Sequence, residues 1–301
     1  MLKKIELSIV ILNYNTRDFL KQCLESTGKR QKGGYEIETI VVDNASNDDS
    51  SQMVEREFPD VKLIVNKRNL GFSAGNNKGV AQTRGEYLLF LNPDTIVPKE
   101  TLKRMVDFMK TNPGMGAATC RVDLANGQLD EACHRGFPTP WRAFCHFSGL
   151  EKLFSNSRFF AGYTLGFLPL DKVHEIDSGT GAFLLVRRKA GEAVNWWDED
   201  YFWYGEDLDF CYKLKERGWK IFYNPEVKIT HYKGISSGIK KHTAGISTAT
   251  KETKKKAALA STQAMRIFYQ KHYFSKYPKL ISWLILWGVN FLERKRLAKI
   301  G

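Results

Sequence analysis

Five places along the chain carry polar side chains of types that could act on a ligand. Asp43 follows the apolar run Ile37–Val42. A carboxylate there can accept a hydrogen bond from the N3–H of a pyrimidine base, and Tyr14, just past the run Leu7–Leu12, can stack on that base. Asp43 can equally serve only to cap the following turn. Asp94, in Asn92-Pro93-Asp94, can hold a magnesium or manganese ion, since these take oxygen ligands and often only one or two protein carboxylates; the plainer role is an Asx-type turn. Between Trp196 and Asp209 aromatics alternate with acids. Trp203 and Glu206 suit a sugar or acceptor there, and Glu206-Asp207 can supply a general base. The same acids can serve a helix N-terminus against its dipole. His231, before Tyr232-Lys233-Gly234, can be a ligand or a structural histidine.

The elements that must position these groups read as α/β. Leu7–Leu12 is a continuous apolar, β-branched-rich run expected as a buried parallel strand, Ile37–Val42 and Val61–Val65 are expected as the next strands, and Tyr87–Leu91 as a fourth, buried one. Helical spacing separates them: Phe19, Leu20, Cys23 and Leu24; then Met53 and Val54, with Ser50 as the cap; then a helix opened by Gly71 and Gly75; then Leu102, Met105, Val106 and Met109. Such alternation implies a doubly wound, mostly parallel sheet, whose ligands sit beyond the carboxyl ends of the strands. Asn13-Tyr14-Asn15, Asp43-Asn44 and Asn92-Pro93-Asp94 all fall there, so they are expected to share one site. Farther on, Asn126-Gly127 reads as a tight hairpin turn. Residues 130–176 read as a long, partly mobile aromatic segment. Ala182–Val186 and Trp219–Tyr223 read as strands, Glu206–Arg217 as a helix, 233–256 as a flexible loop, and 257–275 and 279–298 as helices.

The five cysteines are scattered without a C-x-x-C, which argues against a disulfide framework and for a reducing compartment. The Cys133-His134 and Cys145-His146 pairs lack the usual spacing of zinc ligands. No signal peptide is read at the N-terminus. The net charge of +13 is concentrated: sixteen Lys or Arg stand against two acids from Lys228 to Gly301, leaving the preceding body near neutral. A basic tail on a neutral body implies a polyanion partner, membrane lipid or nucleic acid. The apolar stretch Leu280–Leu292, with Trp283 and Trp287 and the cations Arg294-Lys295-Arg296, is too short to span a bilayer, which needs about 20 residues. It suits a helix lying in an anionic membrane surface, or a core helix packed on the catalytic body.

The order of motifs is more specific than any one of them. Strand-end Asn-Tyr-Asn is followed by VVDNAS, then N-x-x-N-x-G-F (Asn66, Asn69, Gly71, Phe72), LFLNPDT, D-x-x-x-G-A-F-L-L-V-R-R (Asp177, Gly181, Arg187, Arg188), G-E-D-x-D and H-Y-K-G. Over roughly residues 5–240 this resembles the family-two glycosyltransferases with the A-type, Rossmann-like nucleotide-diphospho-sugar fold, and more narrowly their rhamnosyltransferase-like branch. The resemblance implies that Tyr14 and Asp43 hold the base, and that Arg68, Asn69, Gly71 and Phe72 line the nucleotide pocket. It implies Asp94 and His231 at a divalent metal, Asp207 as catalytic base, and Asp177 and Gly181 bordering sugar or acceptor. Many members have two carboxylates where this chain has Asn92-Pro93-Asp94, so metal dependence should be weaker here.

The implied reaction is inverting transfer from a nucleotide-diphosphate sugar, dTDP-rhamnose by family analogy, to a glycan or lipid-linked acceptor at the inner face of the cell membrane. The implied layout is a catalytic domain over 1–240, with a nucleotide half to about 120 and an acceptor half beyond it, then a basic helical tail over 241–301. A nucleotidyltransferase usually has a Gly-rich basic loop where this chain has Asn13-Tyr14-Asn15. Nucleic acid is disfavoured as a partner by the Trp-rich helix and by sheet motifs without basic residues. A Rossmann dehydrogenase would show G-x-G-x-x-G after the first strand, and none is present.

Overall fold

The computed structural model describes residues 4–28, 34–234 and 250–299. Its centre is a nine-stranded mixed sheet in the order β3-β2-β1-β4-β8-β6-β9-β5, with β7 paired to β9. The strands are β1 (Leu7–Asn13), β2 (Ile37–Asp43), β3 (Lys62–Val65), β4 (Tyr87–Leu91), β5 (Thr95–Ile96), β6 (Met115–Leu124), β7 (His174–Glu175), β8 (Phe183–Arg187) and β9 (Lys220–His231). β1, β2, β3 and β4 run parallel, as do β6 and β9, whereas β8 runs antiparallel to both β4 and β6.

The buried runs explain this core. Every residue of β4 is buried, and so are Leu7, Ile9, Val10 and Ile11 of β1. A strand covered on both faces needs apolar side chains at every position rather than at alternate ones. The covering helices are α1 (Arg17–Thr27), α2 (Ser50–Glu57), α3 (Gly71–Val80) and α4 (Thr101–Lys110). α1 turns Leu20, Cys23 and Leu24 inward, and α4 does the same with Leu102, Met105, Val106 and Met109. α3 lies close on the sheet because it carries glycine where it crosses β1: a Cβ on Gly75 would stand 2.4 Å from Leu12 Cδ1. Ser50 is the first residue of α2 and makes no cap bond; its hydroxyl turns back to Asp48, and Asp49 takes the cap position.

The rest of the chain is more ordered than its composition suggests. The Asn126-Gly127 turn is present, with Gly127 at φ +78° and Leu124 N–H donating to Gln128 O. Residues 130–176 contain a 3-10 turn (Glu131–Cys133), α5 (Pro140–Ser148) and the short α6 (Leu150–Leu153). Beyond β8 come α7 (Arg188–Ala193) and α8 (Glu206–Glu216). β9 is twelve residues long and carries His231 at its end, where Trp219–Tyr223 alone was expected. All five cysteines are buried and unpaired.

Most of the expected loop 233–256 lies outside the described residues. Its last part is helical, since α9 covers Lys251–His272, capped by Thr250, and α10 covers Lys279–Ala298. Packing continues past residue 240. Ala264, Phe268, Tyr269 and Tyr273 form a second core with Tyr201 and Tyr212, and Ile285 and Leu286 of α10 close over it. His272 Nε2–H donates to buried Asp209 Oδ1 of α8 at 2.7 Å, and Lys271 pairs with Asp198 and Asp200. α10 is held to α9 by Tyr269–Ser282, Thr262–Glu293, Arg266–Glu293 and Arg296–Ser261 bonds. None of the described helices is long and apolar enough to cross a membrane.

Candidate functional site

Parallel register sets Asn13 beside Asp43 at the carboxyl ends of β1 and β2. Asp43 is buried and both of its oxygens are engaged. Oδ2 accepts from Asn13 Nδ2 at 2.8 Å and Oδ1 accepts from Ser46 N–H at 2.8 Å. The turn-capping role is thus observed directly, and Tyr14 stands half-buried beside it. The N-x-x-N-x-G-F run folds into a polar net. Asn66 donates to Asn44, Asn44 donates to Asn69 Oδ1 and Gly71 O, and Asn69 accepts from Gly71 N–H. Gly71 has φ +81°, and a Cβ on it would stand 2.5 Å from Phe202 O, so glycine is required twice over. Phe72 N–H donates to the same Phe202 oxygen at 2.7 Å, tying the net to the segment before α8. Arg68 is exposed at the rim.

A second group gathers past β4. His231 Nε2 lies 3.2 Å from Asp94 Oδ1 and 3.3 Å from the Asn92 amide, while Nδ1 faces Asp130 Oδ2 at 3.3 Å. Lys233 pairs with the other Asp130 oxygen. Burial alone pulls the His231 ring toward its neutral form, but the carboxylates of Asp94 and Asp130 outweigh it and push the ring up to about 9. Burial would likewise raise Asp130, yet His231 and Lys233 hold it well below the usual carboxylate range. Asp94 and His231 could ligate a divalent ion only once the ring gives up the proton it directs at Asp94. Bonds of about 2.0–2.1 Å put neighbouring ligands about 3 Å apart, close to their observed spacing. Asp130 orients the ring from its far side, as a carboxylate behind a ligating histidine does. Among the described residues no group of three or more His, Cys, Asp or Glu is arranged to hold an ion, so water or ligand oxygens must complete any shell.

The third group sits at the start of α8. Asp207 Oδ2 pairs with Arg135 Nη2 at 2.7 Å and faces Gly181 N–H at 3.4 Å, and Oδ1 accepts from Leu208 N–H at 2.8 Å. Glu206 is buried beside it. Burial first, then the charge of Asp207, pushes its carboxyl up to about 8, so it carries a proton near neutral pH. The turn at Gly181 joins the second and third groups, because Ala182 O accepts from Asn92 N–H while Gly181 faces Asp207. Trp203 is half-buried and stacks flat on Tyr204 at 5.5 Å.

Not every expected residue joins the cluster. Both oxygens of Asp177 are taken, by Arg142 at 2.8 Å and Lys215 at 3.2 Å, which makes it a strut between α5 and α8. Arg187 and Arg188 belong to the opposite end of the sheet, where β8 meets the start of β4. Arg187 donates to Met109 O, Asn112 O and Met115 O, and Arg188 to Gly85 O. Two residues in the cluster carry no local signal in the sequence. Asp130 and Arg135 fall in the segment that lacks periodicity, and their partners lie 101 and 72 positions away, at His231 and Asp207.

Comparison with known proteins agrees with this layout. Residues 8–168 match the family described as glycosyl transferase family 2. An N-acetylglucosaminyl-diphospho-decaprenol L-rhamnosyltransferase of Mycobacterium tuberculosis is 26% identical over 243 residues, covering 77% of this chain and 78% of its own length. Rhamnosyltransferase WbbL of Escherichia coli is 26% identical over 238 residues, covering 74% and 82%. Among solved structures, the mannosyltransferase PcManGT of Pyrobaculum calidifontis in complex with GDP-Man and Mn2+ shares the fold at a TM-score of 0.56 and 16% identity, over 99% of this chain and 74% of that one. S. aureus TarS 1–349 in complex with UDP does so at 0.52 and 17%, over 85% and 65%. The motif order along β1 to β9, the sheet that brings those motifs to one edge, and a family match over more than half the residues lead to one conclusion: the chain belongs to glycosyl transferase family 2.

Proposed function

We propose that this glycosyltransferase moves a sugar with inversion from a nucleotide-diphosphate donor to the hydroxyl of a lipid-linked glycan, at the cytoplasmic surface of the cell membrane. The similarity to two rhamnosyltransferases, one named for a diphospho-decaprenol substrate, favours dTDP-rhamnose as donor and a polyprenyl-linked acceptor. One observation carries the mechanism: the Asp207 carboxylate stands at the helix start beside the Gly181 turn that also holds Asn92. Asp207 takes the proton of the acceptor hydroxyl as its oxygen attacks the anomeric carbon, and the bond pair leaves with the nucleoside diphosphate. Tyr14, Asp43, Arg68, Asn69, Gly71 and Phe72 position the donor nucleotide. Glu206, Gly181 and Trp203 border the sugar or acceptor, with Asp177 bracing the wall behind. Asp94 and His231 would hold magnesium or manganese, which would offset charge on the leaving diphosphate. The 130–176 segment shields the site from water, which would otherwise compete as acceptor. Residues 1–240 act as the catalytic unit, donor half to about 120, and 241–301 as its basic membrane-seeking tail.

Asp207→Asn keeps the shape but cannot take a proton. Its transfer rate should fall about 10²–10⁴-fold with donor affinity unchanged, measured by turnover and calorimetry. Turnover near wild type would remove Asp207 from the mechanism. In the same assay, chelator should depress wild-type transfer and added manganese restore it, while Asp94→Ala should respond weakly to either. Undiminished wild-type transfer in chelator would contradict the metal reading.

The membrane reading rests on the free face of α10. Leu280, Trp283, Leu284, Trp287 and Phe291 lie at helical spacing, and Trp283 and Trp287 are 62% and 58% exposed, while Ser282, Asn290 and Glu293 face α9. Such a stripe above a cationic run suits an anionic bilayer surface. The full chain should sediment with phosphatidylcholine–phosphatidylglycerol vesicles at low salt and less at high salt. Trp283→Ser with Trp287→Ser should weaken this at least about tenfold, given the apolar area lost, and leave transfer to a soluble acceptor intact. Full-length protein that ignores such vesicles at low salt would contradict it.

A further inference from the structure

Arg135 reaches the proposed base from a distant part of the chain. Its backbone is stitched to the Gly181 turn through a bridge with Ser178, whose N–H donates to Arg135 O at 3.0 Å. Its guanidinium bonds Asp207 Oδ2 at 2.7 Å and Gly179 O at 3.3 Å. Two polar atoms around this carboxylate are buried without a hydrogen-bond partner: Arg135 Nε and Glu206 Oε2. Glu206, next to Asp207 in the chain, has its carboxyl pushed up to about 8 by burial and then by the Asp207 charge. The other titratable groups facing them are the Tyr163 hydroxyl, the Cys211 thiol one turn along α8, and the Tyr201 hydroxyl, of which burial pushes the Cys211 thiol up to about 11. Arg135 is the cation in direct contact with Asp207, and it touches Asp207 alone of the pair.

We propose that Arg135 is a positioning residue for the transfer reaction: anchored to the Gly181 turn, its guanidinium pairs with Asp207 and holds that carboxylate charged and aimed at the acceptor hydroxyl. Arg135 holds Asp207 from the side and fixes the direction of its second lone pair. This rests on the reading of Asp207 as the base.

The test is the pH profile of kcat/KM for acceptor in Arg135→Gln and Arg135→Lys, alongside Asp207→Asn. Removing the cation beside the base should move the acid limb of Arg135→Gln upward by about 1–3 pH units. Its rate at neutral pH should fall accordingly, while its affinity for dTDP or UDP alone stays as in wild type. Arg135→Lys, with a charge but no fork, should show a limb between the two. If the glutamine variant does not fold, the lysine variant decides by the same displacement. A profile that superimposes on wild type in the folded variants, whether or not the rate drops, overturns the proposal and leaves Arg135 as a structural pairing. If Asp207→Asn itself turns over near normally, the base reading fails instead, and the two failures are told apart.

Discussion

A strand covered by helices on both faces admits a polar side chain only where a partner meets it. β1 and β4 obey this along nearly their whole length, so the chain's polar groups accumulate at the strand ends. Parallel pairing of β1 with β2 and β4 then puts those ends on one edge. Asn13, Asp43 and Asn92-Pro93-Asp94 meet there because the core excludes them elsewhere. The antiparallel β8 turns the same constraint to a second use. Its entry turn, Thr180–Ala182, arrives at that edge and carries Asp207 to the Asn92 loop. Burying the polar groups of this edge is eased by partners, Asp43 with its asparagine and turn N–H, His231 with its two carboxylates and Asp207 with its arginine, while Arg135 Nε and Glu206 Oε2 are left without one.

The same constraint explains what the sequence reveals. β1 and β4 are legible because a doubly buried strand must be a nearly unbroken apolar run, β2 through its buried Ile40-Val41-Val42 end, and α1 and α4 because one buried face repeats at helical spacing. β6 is not, since Met115-Gly116-Ala117-Ala118-Thr119 is built of small residues. Gly116 lets Trp219 pack where a Cβ would stand 2.6 Å from it, a close approach visible only in three dimensions. β9 runs past Asn224-Pro225 to His231 with a register shift against β6, so the strand is longer than the Trp219–Tyr223 run. Asp130 and Arg135 matter through partners far along the chain, and no local spacing encodes that. Asp94, Asp207 and His231 are singled out in the sequence by motif order rather than by any one motif. Asp177 shows the limit of that order: the motif position is right, and its side chain is spent on Arg142 and Lys215.

The C-terminal helices connect the site to the outside. α9 buries Phe268 and Tyr269 against Tyr201 and Tyr212, and His272 contacts Asp209 two residues beyond Asp207. α10 rides on α9 and presents its aromatic stripe outward. The two readings of the tail are therefore compatible: one face completes the core and the other remains available to lipid. A helix can do both when its apolar residues exceed a single stripe, as in Leu280–Leu292.

The central claim is a direct displacement in which one carboxylate removes a proton and none forms a bond to the sugar. It is tested most directly by the anomeric configuration of the transferred sugar, read by nuclear magnetic resonance on product formed from a donor of known configuration. The account predicts inversion at the anomeric carbon. Retention of the donor's configuration would contradict it.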